Sequence, residues 1–283
     1  MSTTIRDDGG GRPAPERRGG DTTVTGTPVA STRWHLDHAW FTHPGGHVEN
    51  QDALRLDVGA GRWFAIVCDG LGGMAEGAAA AEICADAIAH GLVTGDEQGE
   101  AGSARVRDAI GQAVSGAHLA LVDAQAASPP LKQARATAAV AVIAGGFLTW
   151  GNVGDSRIYR FTRAQGVEVS RDDSAGYAAF ERGDVDYEGI RLYDGRSHLT
   201  AALGDDVAVT PHIGEVSLAD GDGVLVCSDG FWQYVWDTEM GIDLAKSQGA
   251  ADWLELMLLR LVQRSRLDGD NITAVAFTVG KAE

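Results

Sequence analysis

Two short apolar runs that stop at aspartate constrain the fold of this chain more than any other feature. Residues Trp63–Cys68 are all apolar and are followed by Asp69 and glycine, and Val224–Cys227 are followed by serine, Asp229 and glycine. Short unbroken apolar runs that end in turn residues are typical of strands covered on both faces. The sequence therefore predicts a buried sheet with acidic side chains where its strands end.

Further strands and three helices follow from the spacing of apolar residues. Strands are predicted over Ala138–Ala144, Phe147–Gly151, Ile158–Phe161 and Ile272–Val279. Helices are predicted over Glu76–Ala89, Ser103–Ala126 with Ser103 as its cap, and Ala250–Arg264 with basic residues in its last turn. Because the strands come as hairpins and the helices in separate blocks, we expect an α+β fold. It would be a β-sandwich of two stacked, mostly antiparallel sheets flanked by helices, in the order α/β/β/α.

Charge and composition exclude several classes of partner. The 283 residues include 23 Lys and Arg against 40 Asp and Glu, a formal net charge of −17. Such a charge repels phosphodiester backbones and anionic membranes, so we expect no nucleic-acid and no membrane partner. The N-terminal residues lack the apolar core of a signal peptide, and no later segment approaches the ~18 apolar residues of a membrane span. We therefore expect a cytoplasmic protein.

The chain divides into a tail and one domain. Residues 1–30 are polar and glycine-rich and are predicted to be a disordered tail, whereas residues 31–283 form one continuous domain. Cys68, Cys84 and Cys227 lie in apolar or alanine-rich stretches without CxxC spacing, which favours reduced, buried thiols.

Five aspartates stand at the edges of apolar or strand-like segments. They are Asp52, Asp69, Asp155, Asp229 and Asp270. One such aspartate is an ordinary turn residue, but five at strand ends call for a common explanation. If the strand ends converge, the carboxylates form an all-oxygen cluster suited to Mg²⁺ or Mn²⁺, because a hard cation relieves their repulsion.

The motifs around these aspartates resemble those of the metal-dependent serine/threonine protein phosphatases, the type 2C family, in its bacterial form. The resemblance runs in the family's order from about Phe41 to Val279, through ENQDA, VCDGLGGMAEG, Ala136-Thr137, GNVGDSRIYRF, SRDDS, HLTAALG, LVCSDGFWQYV and GDNITAVAF. It implies hydrolysis of phosphoserine and phosphothreonine in proteins by a water activated between two Mn or Mg ions. We expect a monomer that opposes a cognate Ser/Thr kinase in signalling or in control of a larger machine.

The resemblance assigns metal ligands residue by residue. Asp69 resembles the carboxylate that bridges two metal ions, and the carbonyl of Gly70 would bind one of them. Asp229 and Asp270 resemble the ligands of the other ion. No phosphorylated enzyme is required, so the sequence need not supply a nucleophilic serine or cysteine.

Other roles are also implied by the resemblance. Asp52 resembles the acid that holds metal-bound waters, and Asp155 with Asp229 resembles the pair that binds a third, weaker metal. Arg157 is expected to pair with a structural carboxylate rather than with phosphate. Residues 174–198 resemble the family's mobile flap, which helps to select substrates; an ordinary surface insertion is the alternative.

Two positions depart from the family pattern. His47 stands where the family usually has an arginine that grips the substrate phosphate, and imidazole cannot replace the planar, permanently charged guanidinium. Arg33 and Arg55 are alternative candidates for that grip. Leu71 stands where eukaryotic members carry a histidine thought to protonate the leaving oxygen, so a metal-bound water would have to supply this proton.

Two other functions are alternatives to phosphoester hydrolysis. Gly70–Ala75 fit the dinucleotide-binding pattern G-x-G-x-x-A, but Asp69 would place a carboxylate beside the pyrophosphate. The other is a pseudophosphatase that binds a phosphoprotein or partner without turnover, which His47 suggests although all the acids are present.

Four histidines crowd the start of the domain. They are His35, His38, His43 and His47. Their spacing, without a nearby cysteine or acid pair, fits no common zinc pattern, so no zinc site is predicted.

Overall fold

A computed structural model describes residues 22–25, 29–30, 34–59, 61–94, 103–164, 166–265 and 267–281. Its strands in chain order are β1 (Thr22–Thr25), β2 (Val29–Ala30), β3 (Trp34–His43), β4 (Asp52–Gly59), β5 (Arg62–Leu71), β6 (Arg135–Ala136), β7 (Ala138–Ala144), β8 (Phe147–Val153), β9 (Arg157–Phe161), β10 (Val167–Val169), β11 (His212–Ser217), β12 (Gly223–Cys227) and β13 (Ile272–Lys281). Within these ranges the strands form a seven-stranded and a six-stranded sheet.

Every strand pair in the described ranges is antiparallel. The larger sheet, called sheet A here, has the order β1-β3-β13-β12-β9-β10, with β2 also paired to β3. The smaller, sheet B, has the order β11-β8-β7-β5-β4, with β6 paired to β5. The predicted antiparallel sheets are confirmed.

Helices cover the outer faces of both sheets. In chain order the helices are α1 (Met74–Thr94), α2 (Ser103–Ala127), α3 (Ala175–Glu181), α4 (Asp229–Trp232), α5 (Asp237–Lys246) and α6 (Ala250–Ser265), with short 3-10 turns at Pro129–Gln133 and Glu188–Leu192. Helices α1 and α2 pack on sheet B, and α5 and α6 pack on sheet A. The predicted layer order α/β/β/α is confirmed. No helix in the described residues has the length and apolar character that crossing a membrane requires.

The unbroken apolar runs are buried on both faces of their sheets. In β5, Ile66 packs with α1 and α2, whereas Val67 packs between the sheets. In β12, Leu225 packs with the helices over sheet A, and Val226 packs between the sheets. Because side chains alternate along a strand, each run supplies two apolar layers. Burial of each such side chain stabilises the fold by about 1.5–3 kcal/mol relative to its exposure.

Part of the segment predicted to be disordered is in strands, so the tail boundary of 1–30 was wrong there. Strand β1 pairs with β3 from Thr22 opposite Thr42 to Thr25 opposite Ala39, and β2 pairs with the same strand. The reason is backbone pairing by β-branched residues at a sheet edge, which needs few large apolar side chains. Residues 1–21 and 26–28 lie outside the described ranges.

A buried ion pair joins strand β9 to the segment that follows β10. The Arg157 guanidinium donates to both oxygens of Asp172, with Nη2 2.6 Å from Oδ2, and both side chains are at most 1% exposed. Its Cζ lies 3.5 Å from the ring centroid of Trp232 in α4. Arg157 therefore pairs with a structural carboxylate, as predicted.

Breaking this pair should destabilise the protein strongly. Arg157→Met leaves the Asp172 carboxylate buried without a partner, so we expect the free energy of unfolding in urea to fall by about 3–5 kcal/mol. The matched control is Arg163→Met, because the Arg163 guanidinium is 79% exposed and lies 3.8 Å from Asp220. That change should cost about 0–1 kcal/mol. Equal losses in the two variants would contradict a structural role for the buried pair.

Candidate active site

The strand ends of both sheets meet at one edge of the sandwich, and the five aspartates lie there. In sheet B, Asp52 at the start of β4 stands opposite Asp69 near the end of β5. In sheet A, Asp155 precedes β9, Asp229 follows β12 and Asp270 precedes β13, and these three strands are neighbours. The all-oxygen cluster was expected from the sequence only on condition that these strand ends converge.

A hydrogen bond across the gap between the sheets holds Asp52. The Ser228 hydroxyl, just beyond β12, donates to Asp52 Oδ2 over 2.8 Å. The other oxygen of this carboxylate, Oδ1, is buried and has no hydrogen-bond partner in the described residues. One oxygen is therefore fixed and the other is left for a ligand.

Asp229 shows the same arrangement. Asp229 is 6% exposed, and Gln233 Nε2 donates to its Oδ2 over 2.7 Å. Its other carboxylate oxygen, Oδ1, is buried without a partner among the described residues. A buried carboxylate oxygen without a donor is costly, so two of them at one edge are suited to a cation.

The backbone around Asp69 is fixed by a neighbouring strand. Its N–H donates to Thr137 Oγ1 over 2.9 Å, and the Thr137 N–H donates to the Asp69 carbonyl over 2.8 Å. A side chain at Gly70 would place its Cβ 2.0 Å from the carbonyl oxygen of Gly77, so glycine is required where α1 packs on the end of β5. Sequence analysis assigned no role to Thr137 beyond its motif.

Asp155 is held through its main chain. The residue is 4% exposed, and Trp232 Nε1 donates to its carbonyl oxygen over 2.8 Å. The same Trp232 ring packs on the guanidinium of Arg157. The buried ion pair described above therefore also positions this aspartate.

Burial and mutual repulsion raise the carboxyl pKa values of the cluster. Removal from water is the largest cause for Asp52 and Asp155, whose pKa values rise from 3.8 to about 7. The pKa of Asp69 rises well above its usual value, through desolvation and then the charges of the other four aspartates. The pKa of Asp229 is also raised, by desolvation and by Asp155 and then Asp270.

The residues present fit a divalent cation by their chemistry. All the candidate ligands are oxygens, two of them are buried without a donor, and their charges disfavour one another. Among the described residues, no group of three or more His, Cys, Asp or Glu side chains is placed so that it could hold a metal ion. The fit therefore rests on the donor set and the unpartnered oxygens.

His47 lies beside the most exposed aspartate of the cluster. Its Nε2 is 3.7 Å from Asp270 Oδ1, and the two side chains are 43% and 57% exposed. Gly45, at a φ of 61°, lets this turn approach the Asp270 backbone, because a Cβ there would lie 2.0 Å from the Asp270 carbonyl oxygen. His47 therefore faces the open side of the cluster.

The other basic candidates are placed differently. Arg55 Nε donates to Asp86 over 2.8 Å and Nη2 donates to Glu82 over 2.5 Å, so its guanidinium is held on α1. Arg33 lies outside the described residues. Leu71 stands opposite Arg135 where β5 pairs with β6, and its apolar side chain cannot donate a proton.

The fold does not support the dinucleotide-binding alternative. Gly70–Ala75 connect β5 to α1 next to an antiparallel sheet, whereas the dinucleotide fingerprint requires a parallel βαβ unit. The histidines of β3 have separate surroundings: His38 is packed against Trp63 and Phe277, and His43 Nδ1 accepts from the Gly45 N–H.

The buried cysteines lie in the core. Cys68, Cys84 and Cys227 are free and fully buried. Burial raises the pKa of the Cys84 thiol to about 12 and raises those of Cys68 and Cys227 as well. All three thiols are therefore poor nucleophiles, as predicted.

The chain belongs to the protein phosphatase 2C family, whose model matches residues 42–269. It is 30% identical over 181 residues to the serine/threonine protein phosphatase PstP of Mycobacterium tuberculosis, across 64% of this chain and 34% of PstP. The chain thus spans less than half the length of the curated relatives it matches.

Solved structures have the same fold. The catalytic domain of PstP in complex with two manganese ions superposes with a TM-score of 0.72 at 25% identity, covering 88% of this chain and 100% of that domain. The Staphylococcus aureus serine/threonine phosphatase Stp1 superposes with a TM-score of 0.75 at 22% identity, covering 86% and 94%.

The raised carboxyl pKa values predict a specific dependence of stability on pH. Between about pH 4 and pH 7 the metal-free folded protein binds more protons at Asp52 and Asp155 than the unfolded chain does. Its free energy of unfolding should therefore fall as pH rises through this window. Asp69→Asn removes one repelling charge, so we expect a higher Tm at pH 8 in EDTA, by about 2–4 °C per kcal/mol gained.

The control for this measurement is Asp184→Asn, because that carboxylate is 54% exposed and pairs with Arg182 away from the cluster. Its Tm should match that of the wild type. Saturating Mn²⁺ should stabilise the wild type, by about 2.7 kcal/mol at a hundred times the Kd, and stabilise Asp69→Asn less. Identical pH profiles for wild type and Asp69→Asn would contradict repulsion within the cluster.

Proposed function

We propose that this protein is a metal-dependent serine/threonine phosphoprotein phosphatase. The observation that carries the proposal is the pair of buried, unpartnered oxygens on Asp52 and Asp229, at an edge where Asp69 and Asp155 also have raised pKa values. Membership of the protein phosphatase 2C family and the manganese bound by the similar PstP domain support it.

Five carboxylates and one carbonyl would hold the metal. Asp69 would bridge two ions, with the carbonyl of Gly70 on one and Asp229 and Asp270 on the other. Bound Mn²⁺ or Mg²⁺ lowers the pKa of a coordinated water and neutralises the charge of the phosphoryl group. Asp52 would orient water at the site, a role suited to a carboxylate with one oxygen fixed by Ser228.

A third, weaker ion is part of the proposal. Asp155 and Asp229 would share it. The charge of Asp155 raises the pKa of Asp229, and the charges of both raise the pKa of Asp69. Because Asp155 is held by its carbonyl rather than by its carboxylate, the side chain stays available for such an ion.

The proposed substrates are proteins phosphorylated by a Ser/Thr kinase. The phosphatase would act as a monomer in cytoplasmic signalling. A field of net charge −17 does not favour polyanions such as nucleic acid. The residues 174–198, which contain α3, would form a flap beside the site that takes part in substrate selection.

Hydrolysis of p-nitrophenyl phosphate with and without Mn²⁺ tests the proposal. We expect Mn²⁺-dependent turnover by the wild type and a loss of roughly 10²–10³ in Asp69→Asn, the range for removing one group that stabilises transition-state charge. Asp155→Ala should impair turnover of a phosphothreonine peptide while calorimetry still finds two tight Mn²⁺ sites.

Glu168→Gln is the matched control, because this carboxylate is 49% exposed on β10 and lies outside the flap. It should keep wild-type rates. A wild-type protein that is silent with and without Mn²⁺ would favour the pseudophosphatase. Undiminished metal binding and normal activity in Asp69→Asn would overturn the ligand assignment.

His47 should make phosphate binding weak. A guanidinium at this position adds a charge-assisted contact worth about 1.5–3 kcal/mol, so His47→Arg should strengthen competitive inhibition by inorganic phosphate roughly ten- to a hundredfold. His47→Gln should not strengthen this inhibition, because a neutral amide adds no charge.

His90→Arg adds the same charge on α1 and serves as the control, because His90 is exposed on the outer side of that helix. It should leave phosphate inhibition unchanged. Equal inhibition by inorganic phosphate in wild type, His47→Gln and His47→Arg would show that His47 does not face the phosphate. Arg33 would then be the candidate for the phosphate contact.

A further inference from the structure

Gln233 connects Asp229 to the flap formed by residues 174–198. Its Nε2 donates to Asp229 Oδ2 over 2.7 Å, and its Oε1 accepts from Arg196 Nε of the flap over 3.4 Å. The backbone N–H of Gln233 also donates to the Asp229 carbonyl over 3.0 Å at the end of α4. One side chain thus contacts both a proposed metal ligand and the segment proposed to receive the substrate.

The neighbours of Gln233 allow only one orientation of its amide. Asp229 offers acceptors only, and the guanidinium of Arg196 offers donors only. Turning the amide over would place Oε1 against the carboxylate and Nε2 against the guanidinium, and both contacts would be lost. The direction of the Arg196–Gln233–Asp229 chain is therefore determined by its two ends.

Gln233 also determines which oxygen of Asp229 remains available. Oδ2 accepts from Gln233, while Oδ1 is buried without a partner in the described residues. The Gly230 N–H also donates to the Asp229 carboxylate. Without the Gln233 amide the carboxylate would lose its side-chain donor, and its rotation about the Cβ–Cγ bond would be less restricted. Fixing the orientation of a ligand before the ion binds is a common function of groups around metal sites.

The flap is joined to the same helix at a second point. Arg191 Nε donates to the carbonyl of Trp232 over 3.0 Å, and its Nη2 pairs with Asp237. Arg191 is 6% exposed, so this anchor is buried, whereas Arg196 is only half-buried. The segment around Arg196 can therefore change its contact with Gln233 while the Arg191 anchor stays in place.

We propose that Gln233 is a positioning residue through which Arg196 of the flap sets the metal affinity of Asp229. The inference rests on the proposed function, because it takes Asp229 as a metal ligand. A phosphoprotein that draws Arg196 away from Gln233 would therefore loosen the orientation of the Asp229 carboxylate and weaken its metal affinity. A phosphoprotein that leaves this contact intact would leave the affinity unchanged. The flap would then affect metal occupancy as well as substrate choice.

Calorimetric titration of the full chain with MnCl₂ tests this inference in four proteins: wild type, Gln233→Met, Arg196→Ala and the double variant. Methionine keeps the length of glutamine and removes its donor. We expect Gln233→Met to weaken one Mn²⁺ site roughly tenfold, and Arg196→Ala to weaken it about threefold. The double variant should equal Gln233→Met alone, because Arg196 acts through Gln233.

Arg182→Ala is the matched control in the same segment, since its guanidinium is 57% exposed and pairs with Asp184. It should leave the Mn²⁺ affinity unchanged. Gln233→Leu repeats the test if Gln233→Met fails to show cooperative unfolding, and Arg196→Ala alone decides whether the flap matters. The Mn²⁺ concentration for half-maximal p-nitrophenyl phosphate hydrolysis should shift by the same factors.

The failures of the two proposals are distinguishable. A wild type that turns over substrate, with unchanged Mn²⁺ affinity in Gln233→Met, overturns the inference and leaves the phosphatase function standing. Independent, additive losses in the double variant overturn the coupling through Gln233. A wild type that binds Mn²⁺ without turnover overturns the proposed activity, while calorimetry still decides the role of Gln233. A wild type that binds no Mn²⁺ overturns both.

Discussion

Repulsion among buried carboxylates is the constraint on which the edge of the sandwich depends. Asp69 lies close enough to four other aspartates for each to raise its pKa. Neutral or backbone donors hold the acids in place: Ser228 on Asp52, and Gln233 on Asp229. Because these donors carry no charge, they orient the carboxylates without satisfying their charge. The charge is left for a cation.

The apolar layer between the sheets makes this arrangement possible. Val67 and Val226 lie in that layer, two residues before Asp69 and three residues before Asp229. A strand covered on both faces has little freedom to shift its register, since a shift by one residue would exchange its two buried faces. The core therefore sets the position of each acid, and the buried pair of Arg157 and Asp172 adds a second restraint near Asp155 through Trp232.

Sequence analysis predicted the elements whose signal is local. The runs at β5 and β12 and the leucine spacing of α6 were identified because apolar burial alone determines them. Helix α5 was missed because its residues are mixed in character, and pairing of Arg260 with Asp243 and Glu239 joins it to α6. Strand β3 was missed because its histidines were considered as possible ligands rather than as alternating positions of a strand.

The site was predicted in the same partial way. The aspartates could be found because each follows or precedes an apolar segment, but Ser228 and Gln233 could not be assigned. Ser228 meets an acid 176 residues away in the chain, and no local pattern specifies that contact. Gln233 is close in sequence to Asp229, yet its orientation depends on Arg196 in another segment. Contacts made only after the sheets stack are outside the reach of sequence patterns.

The net negative charge of the protein implies that the proposed metal ions also attract the substrate phosphate. A chain of net charge −17 repels a phosphorylated substrate at long range. Among the described arginines, Arg157 is paired with Asp172, and Arg55 is paired with Glu82 and Asp86, whereas Arg196 contacts the neutral amide of Gln233. His47 faces the open side but carries charge only when protonated. Much of the attraction for phosphate then has to come from the cations themselves. In such a site, the precision with which Ser228 and Gln233 hold their carboxylates affects substrate binding as much as it affects chemistry.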